Sequence, residues 1–134
     1  MRVKFVKFFF LVIFFLLPLN SNAEWIKLFS GKNGTDFFFQ SDSLSQDKNV
    51  RFVKILINYD NENEHGDISI VVQREIKCNE LMYKDTNKKF YKKKLGKGDE
   101  SRGSGEIKNS KWVYFPPGSS GGEMIKIICS LKLN

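Results

Sequence analysis

The stretch ISIVVQREIKC, from Ile68 to Cys78, decides the fold. Side chains on a strand alternate between its two faces, so Ile68, Ile70, Val72, Ile76 and Cys78 share one side. Ser69, Gln73, Glu75 and Lys77 share the other. The pattern predicts a strand with one face in the core and Cys78 pointing into it. Just upstream, DNENEHGD, Asp60 to Asp67, has the composition of a hairpin loop. Before that loop, VRFVKILINY, Val50 to Tyr59, places Val53, Ile55, Ile57 and Tyr59 on one face and Phe52 and Leu56 on the other. Apolar groups on both faces predict a central strand.

Shorter strands are expected to flank this pair. Trp25 to Phe29 is one, closed by the turn Gly31 to Gly34, and Asp36 to Gln40 with its three phenylalanines is another. Ser41 to Asn49 reads as a polar loop. Leu81 to Tyr83 reads as a short pairing segment, Lys89 to Leu95 as a basic strand, and Lys111 to Phe115 as an aromatic strand stopped by Pro116 and Pro117. Near the C-terminus, Ser120 followed three residues later by Glu123 is a capping box opening an apolar run. Met124, Ile127, Ile128 and Leu131 then recur at helical spacing, Ile125 and Cys129 occupy the adjoining edge, and Lys126 and Ser130 fall on the polar side.

The N-terminus reads as an address. Arg2, Lys4 and Lys7 precede the unbroken apolar run Phe8 to Leu17, Pro18 breaks it, and Ser21, Asn22 and Ala23 supply small residues before Glu24. Cleavage after Ala23 is expected, because a membrane-spanning helix needs about 20 apolar residues and this run is shorter. The expected mature chain, residues 24 to 134, is one domain with no transmembrane segment. It is periplasmic or secreted, and with its first cysteine at Cys78 it lacks a lipid-anchor site. Three of the 22 basic side chains of the 134-residue chain lie in the address, and none of the 15 acidic ones. That leaves 19 basic against 15 acidic groups, a net of +4, too modest to point to nucleic acid.

Two cysteines in an exported chain read as a disulfide, since Cys78 and Cys129 lack the close spacing that redox or metal chemistry favours. Joining a core-facing strand cysteine to one at the edge of a helical stripe pins the helix onto one face of an antiparallel sheet. The expected class is therefore α+β, with about five to six antiparallel strands and a C-terminal helix tied to one face.

Trp25, the Phe37 to Gln40 strand, the strand end Glu75, Ile76, Lys77, Cys78, and Phe90 and Tyr91 ahead of Gly96, Lys97 and Gly98 follow one another along the chain. Trp112, Pro117, Gly118, Ser119, Met124 and Cys129 complete the series. In this order they resemble the surface-adhesin E family of exported bacterial proteins. The resemblance implies a small antiparallel sheet with a disulfide-tied C-terminal helix and a binding role toward host matrix and serum proteins. It implies no particular ligand residues.

The strongest local charge feature is Lys84, Lys88, Lys89, Lys92, Lys93, Lys94 and Lys97, offset by Asp85 and interleaved with Phe90 and Tyr91. Two readings compete. From Lys88 to Lys97 the segment is a candidate contact surface for a protein or an acidic glycan, or it is an edge strand guarded by lysines. The acidic loop Asp60 to Asp67 fails as a calcium loop, because Gly66 is one place late and Val71 stands where a bidentate Glu belongs. His65 is the only histidine and reads as an exposed loop residue. The glycines from Gly96 to Gly105 precede no helix, so they read as a flexible loop and not a phosphate cradle. Asn33, Gly34 and Thr35 form a glycosylation sequon, relevant only in a eukaryotic pathway. No catalytic residue, metal or cofactor is predicted. The expected function is an exported, non-enzymatic binding module, the alternatives being a periplasmic envelope protein without a host ligand, an enzyme inhibitor or a small hydrolase.

Overall fold

The computed structural model describes residues 24–133, so the expected signal segment, residues 1–23, lies outside the described residues, as does Asn134. Eight strands among the described residues form one antiparallel sheet. They are β1 (Trp25–Ser30), β2 (Asp36–Gln40), β3 (Ser45–Asp47), β4 (Val50–Asn58), β5 (Ser69–Lys77), β6 (Met82–Tyr91), β7 (Gly105–Glu106) and β8 (Val113–Tyr114). The order is β1-β2-β4-β5-β6-β7, with β3 also on β4 and β8 also on β6. Helix α1 (Ser120–Ser130) follows.

The expected five to six strands become eight because β3 and β7, only three and two residues long, form in segments expected as loop, while β8, two residues long, falls inside the expected Lys111 to Phe115 strand. Segments that short carry no readable alternation. β3 arises inside Ser41 to Asn49, expected as loop. The two segments expected at Leu81 to Tyr83 and Lys89 to Leu95 are instead one strand, β6, paired along the whole of β5 from Ser69↔Tyr91 to Lys77↔Met82. Its polar middle, Asp85 to Lys88, with a register break opposite Gln73 and Arg74, hides that continuity.

Residues directly opposite in an antiparallel pair share a face. Val53, Ile55, Ile70, Val72 and Ile76 thus form one apolar surface, and it packs against Met124, Ile125 and Ile128 of α1, all buried. The buried helix stripe is rotated from the expected one: Ile125 is fully buried and Ile127 only partly. Ser119, not Ser120, caps the helix, its Oγ accepting the Gly122 N–H at 3.0 Å. Arg51 on β4 satisfies the other end, donating from Nη1 to the carbonyls of Ile128 at 2.6 Å and Leu131 at 2.8 Å. Cys78 and Cys129 are bonded, with Cα atoms 5.9 Å apart. Closing their 51-residue span removes denatured-state entropy equivalent to about 4 kcal/mol in the chain-entropy model.

The core face also holds a charge. Arg74 lies between Val72 and Ile76, 5% exposed, and donates to both carboxylate oxygens of Asp85 at 2.7 and 2.9 Å. Its guanidinium sits 3.7 Å over the Tyr83 ring, which stacks on Phe115 at 4.0 Å. This column ties β5 and β6 to the segment that enters α1.

Candidate functional site

The second face of the sheet carries Lys54, Leu56 and Asn58 from β4 and Ser69, Val71 and Gln73 from β5. α1 lies on the opposite side, yet Leu56 and Ser69 are fully buried and Asn58 nearly so. The cover comes from the chain just after β6, which folds back through a one-turn 3₁₀ segment, Lys94–Gly96. Three hydrogen bonds pin it. Leu95 N–H donates to Asn58 Oδ1 at 2.8 Å, Gly96 N–H to Ser69 Oγ at 3.0 Å, and the Ser69 hydroxyl to the Lys93 carbonyl at 2.6 Å. Gly96 has φ +66°, and a Cβ there would meet Val71 Cγ2 at 3.3 Å and Leu56 Cδ1 at 3.5 Å. Only a glycine lets the turn lie this close to the sheet without strain.

The lysine-rich segment is consequently divided. Lys88 stands opposite Val72 on the helix side, its Nζ 5.6 Å from the Phe90 ring, and Phe90 itself packs against the core. Lys89 and Tyr91 stand opposite Val71 and Ser69 on the second face. Lys92 is exposed but already paired, its Nζ 2.9 Å from the buried Asp67 carboxylate and donating to the His65 carbonyl at 2.7 Å. Asp67 also accepts from the Ser101 hydroxyl and from Asn63. The Ser101 hydrogen bond first, then Lys92, hold its carboxyl below the ordinary value of 3.8. Lys93, Lys94 and Lys97 are exposed around the pinned turn. Lys84 is engaged elsewhere, 3.5 Å from Glu75 and, with Lys77, over the Trp112 ring.

β6 is not the open edge that the second reading of the lysines requires. β8 pairs at Met82 and Tyr83, β7 at Asn87 and Lys88, and Tyr91 bridges to Glu100. The glycine-containing stretch after Gly96 is likewise structured: Lys92 N–H reaches the Asp99 carbonyl at 3.1 Å and Ser101 N–H the Phe90 carbonyl at 2.8 Å. In the acidic loop, Asn63 Oδ1 accepts the N–H groups of His65 and Asp67, a local turn that shapes the hairpin. His65 is exposed beside Glu64, as expected.

Beside the pinned turn lies a groove of about 210 Å³, lined by Trp25, Lys54, Asn87, Lys89, Tyr91 and Leu95. It adjoins a wider recess of about 520 Å³ that reaches Asp42, Phe52, Glu75 and Thr86, the two sharing Gln40, Lys54 and Gln73. Lys54 and Lys89 have no ion-pair partner among the described residues. Sequence reasoning placed Lys89 and Tyr91 in a candidate surface but missed Lys54, Gln73 and Asn87, which come from three different strands. The available signal for Lys54 was its place on the second face of β4 between the apolar Phe52 and Leu56.

Residues 25–130 match the model of a family described as surface-adhesin protein E. The fold is similar to that of Haemophilus influenzae protein E in crystal form II, with a TM-score of 0.62 at 16% identity over 84% of this chain and 92% of that one. It is also similar to protein E from non-typeable Haemophilus influenzae, with a TM-score of 0.57 at 15% identity over 84% of this chain and 80% of that one. No curated protein matches the sequence.

Proposed function

We propose that this chain, which belongs to the surface-adhesin protein E family, is an exported, non-enzymatic binding module that holds a protein or an acidic glycan through the lysine-bearing rim of its second sheet face. Residues 1–23 are its signal peptide in this reading and residues 24–134 its mature domain. The observation that carries the proposal is the pinned turn. Lys93, Lys94 and Lys97 project from backbone that buried Asn58 and Ser69 hold in place, so the charges meet a partner with little backbone ordering still to be lost. Lys89 extends the same rim, whereas Lys88 and Lys92 are turned to other uses.

The test is the triple variant Lys93→Glu, Lys94→Glu, Lys97→Glu, measured against immobilised heparin and against matrix proteins at low and moderate salt. Circular dichroism and the melting temperature report the fold. Affinity is expected to fall by about tenfold or more, with the loss shrinking as salt rises. Binding equal to that of the unaltered protein at both salt levels rejects the rim as the contact surface.

A further inference from the structure

We propose that the groove beside the pinned turn is a sugar subsite, taking one acidic unit of an oligosaccharide with its ring against Trp25 and Tyr91 and its carboxylate or sulfate between Lys54 and Lys89. The inference rests on the binding-module reading above and names the partner class of the same face.

Three properties of the groove point to this ligand. Its polar lining includes three side-chain amides, Gln40, Gln73 and Asn87. An amide offers both donors and an acceptor, the mixture that a ring of hydroxyl groups requires. Two aromatic side chains in the same groove supply the flat apolar surfaces that the C–H face of a sugar covers. Finally, the charge is polarised. Lys89 at the Trp25 end and Lys54 where groove and recess meet have no acidic partner among the described residues, while Asp42 and Glu75 line the wider end, Glu75 being held by Lys84 at 3.5 Å. A neutral sugar would leave the two ammonium groups uncompensated, and an anion without rings would leave the aromatics and amides unused.

Other occupants fit less well. A peptide binding by strand addition needs an open edge, but here the groove floor is the interior of the sheet, with β4 and β5 hydrogen-bonded on both sides. The 520 Å³ recess continuing from the groove is of the size that small-ligand sites occupy, about 300–1,000 Å³, so further units of a chain can follow the first. One wall, Leu95 and Gly96, is the turn fixed by Asn58 and Ser69, which gives the groove a set shape before any ligand arrives.

The experiment is isothermal titration of the mature protein with a heparin hexasaccharide, a hyaluronan hexasaccharide and a polyphosphate of matched charge. Trp25→Ala and Gln73→Ala probe the sugar contacts, and the pair Lys54→Met, Lys89→Met probes the anion contacts. Trp25→Phe keeps an aromatic ring should the alanine variant loosen β1. Each of the first three variants is expected to weaken at least one of the hexasaccharides by about tenfold or more, with Trp25→Phe in between. Polyphosphate binding should be untouched by Trp25→Ala and Gln73→Ala. Hyaluronan binding identifies a uronate as sufficient, and binding of heparin alone identifies sulfate.

If Trp25→Ala and Gln73→Ala leave both hexasaccharides unaffected, or weaken polyphosphate equally, the groove does not read sugar. If neither hexasaccharide binds the unaltered protein while the Lys93, Lys94, Lys97 charge reversal still abolishes capture of a matrix protein, the sugar inference fails and the binding-module reading stands. The opposite pattern, groove variants active and rim variant silent, retains the groove and removes the rim.

Discussion

Ser69→Ala tests the link between the buried second face and the presentation of the lysine rim. The serine hydroxyl accepts from Gly96 N–H and donates to the Lys93 carbonyl, so one substitution removes two hydrogen bonds and leaves two backbone groups without partners. A neutral hydrogen bond contributes about 0.5–1.5 kcal/mol net, which puts the loss at about 1–3 kcal/mol. The turn can open to water while the sheet remains intact, so most of this loss should appear as local opening and not as global unfolding. The amide of Gly96 should then exchange with solvent about 5- to 150-fold faster, because each 1.4 kcal/mol is tenfold in the opening equilibrium. Adding Asn58→Ala removes the bond to Leu95 N–H and should carry that amide with it. Native-state hydrogen exchange by nuclear magnetic resonance reads both positions, with the amides of Ile55 and Val72 as internal controls. If Gly96 and Leu95 exchange at the unaltered rate in the double variant, the turn is held by apolar contact alone and the pinning argument is wrong.

Two further outcomes follow from the buried charges. Arg74→Met strands Asp85, whose side chain is 22% exposed, and should cost about 3 kcal/mol, the lower end for breaking a buried pair. Arg74→Met with Asp85→Leu should recover most of it, and urea unfolding of the four corners of that cycle gives the coupling directly. A single variant costing less than about 1 kcal/mol would show that the Tyr83–Phe115 stack, and not Arg74, holds the column. Asp67 supplies a pH dependence. Its folded carboxyl is held below the ordinary 3.8, so its contribution is present in full above that value and is lost as the pH falls through the depressed one. The urea midpoints of the unaltered protein and of Asp67→Asn should therefore converge in acid, whereas a constant gap from neutral pH downward would contradict the assignment.

The lysine segment shows why the candidate site was only partly legible. A run of seven lysines announces itself in any sequence, but strand parity sends Lys88 and Lys89 to opposite faces, and Asp67 claims Lys92. Asp67 lies 25 residues from Lys92 in the chain, and nothing in the local pattern of either residue marks the other. Arg74 is a similar case. It falls on the core-facing period of β5, where its charge is tolerable because Asp85 stands opposite and the Tyr83 ring, opposite Ile76, lies against its guanidinium, and that pairing depends on a register shift within β6.

The residues by themselves determined what repeats locally or is bound covalently. The period of two in β4 and β5, the helical spacing from Met124 onward and a pair of cysteines sufficed for an antiparallel sheet with a helix tied to one face. Those signals report which side chains avoid water, because an element that buries one face repeats its apolar side chains at its own period along the chain. They do not report what provides the cover. Leu56 announced a buried position on the second face, and the tertiary structure alone assigned its cover to a lysine-bearing turn. The contacts that hold the turn join Asn58 to Leu95 and Ser69 to Gly96, 37 and 27 residues apart, and such hydrogen bonds come into being only when the strands have already paired.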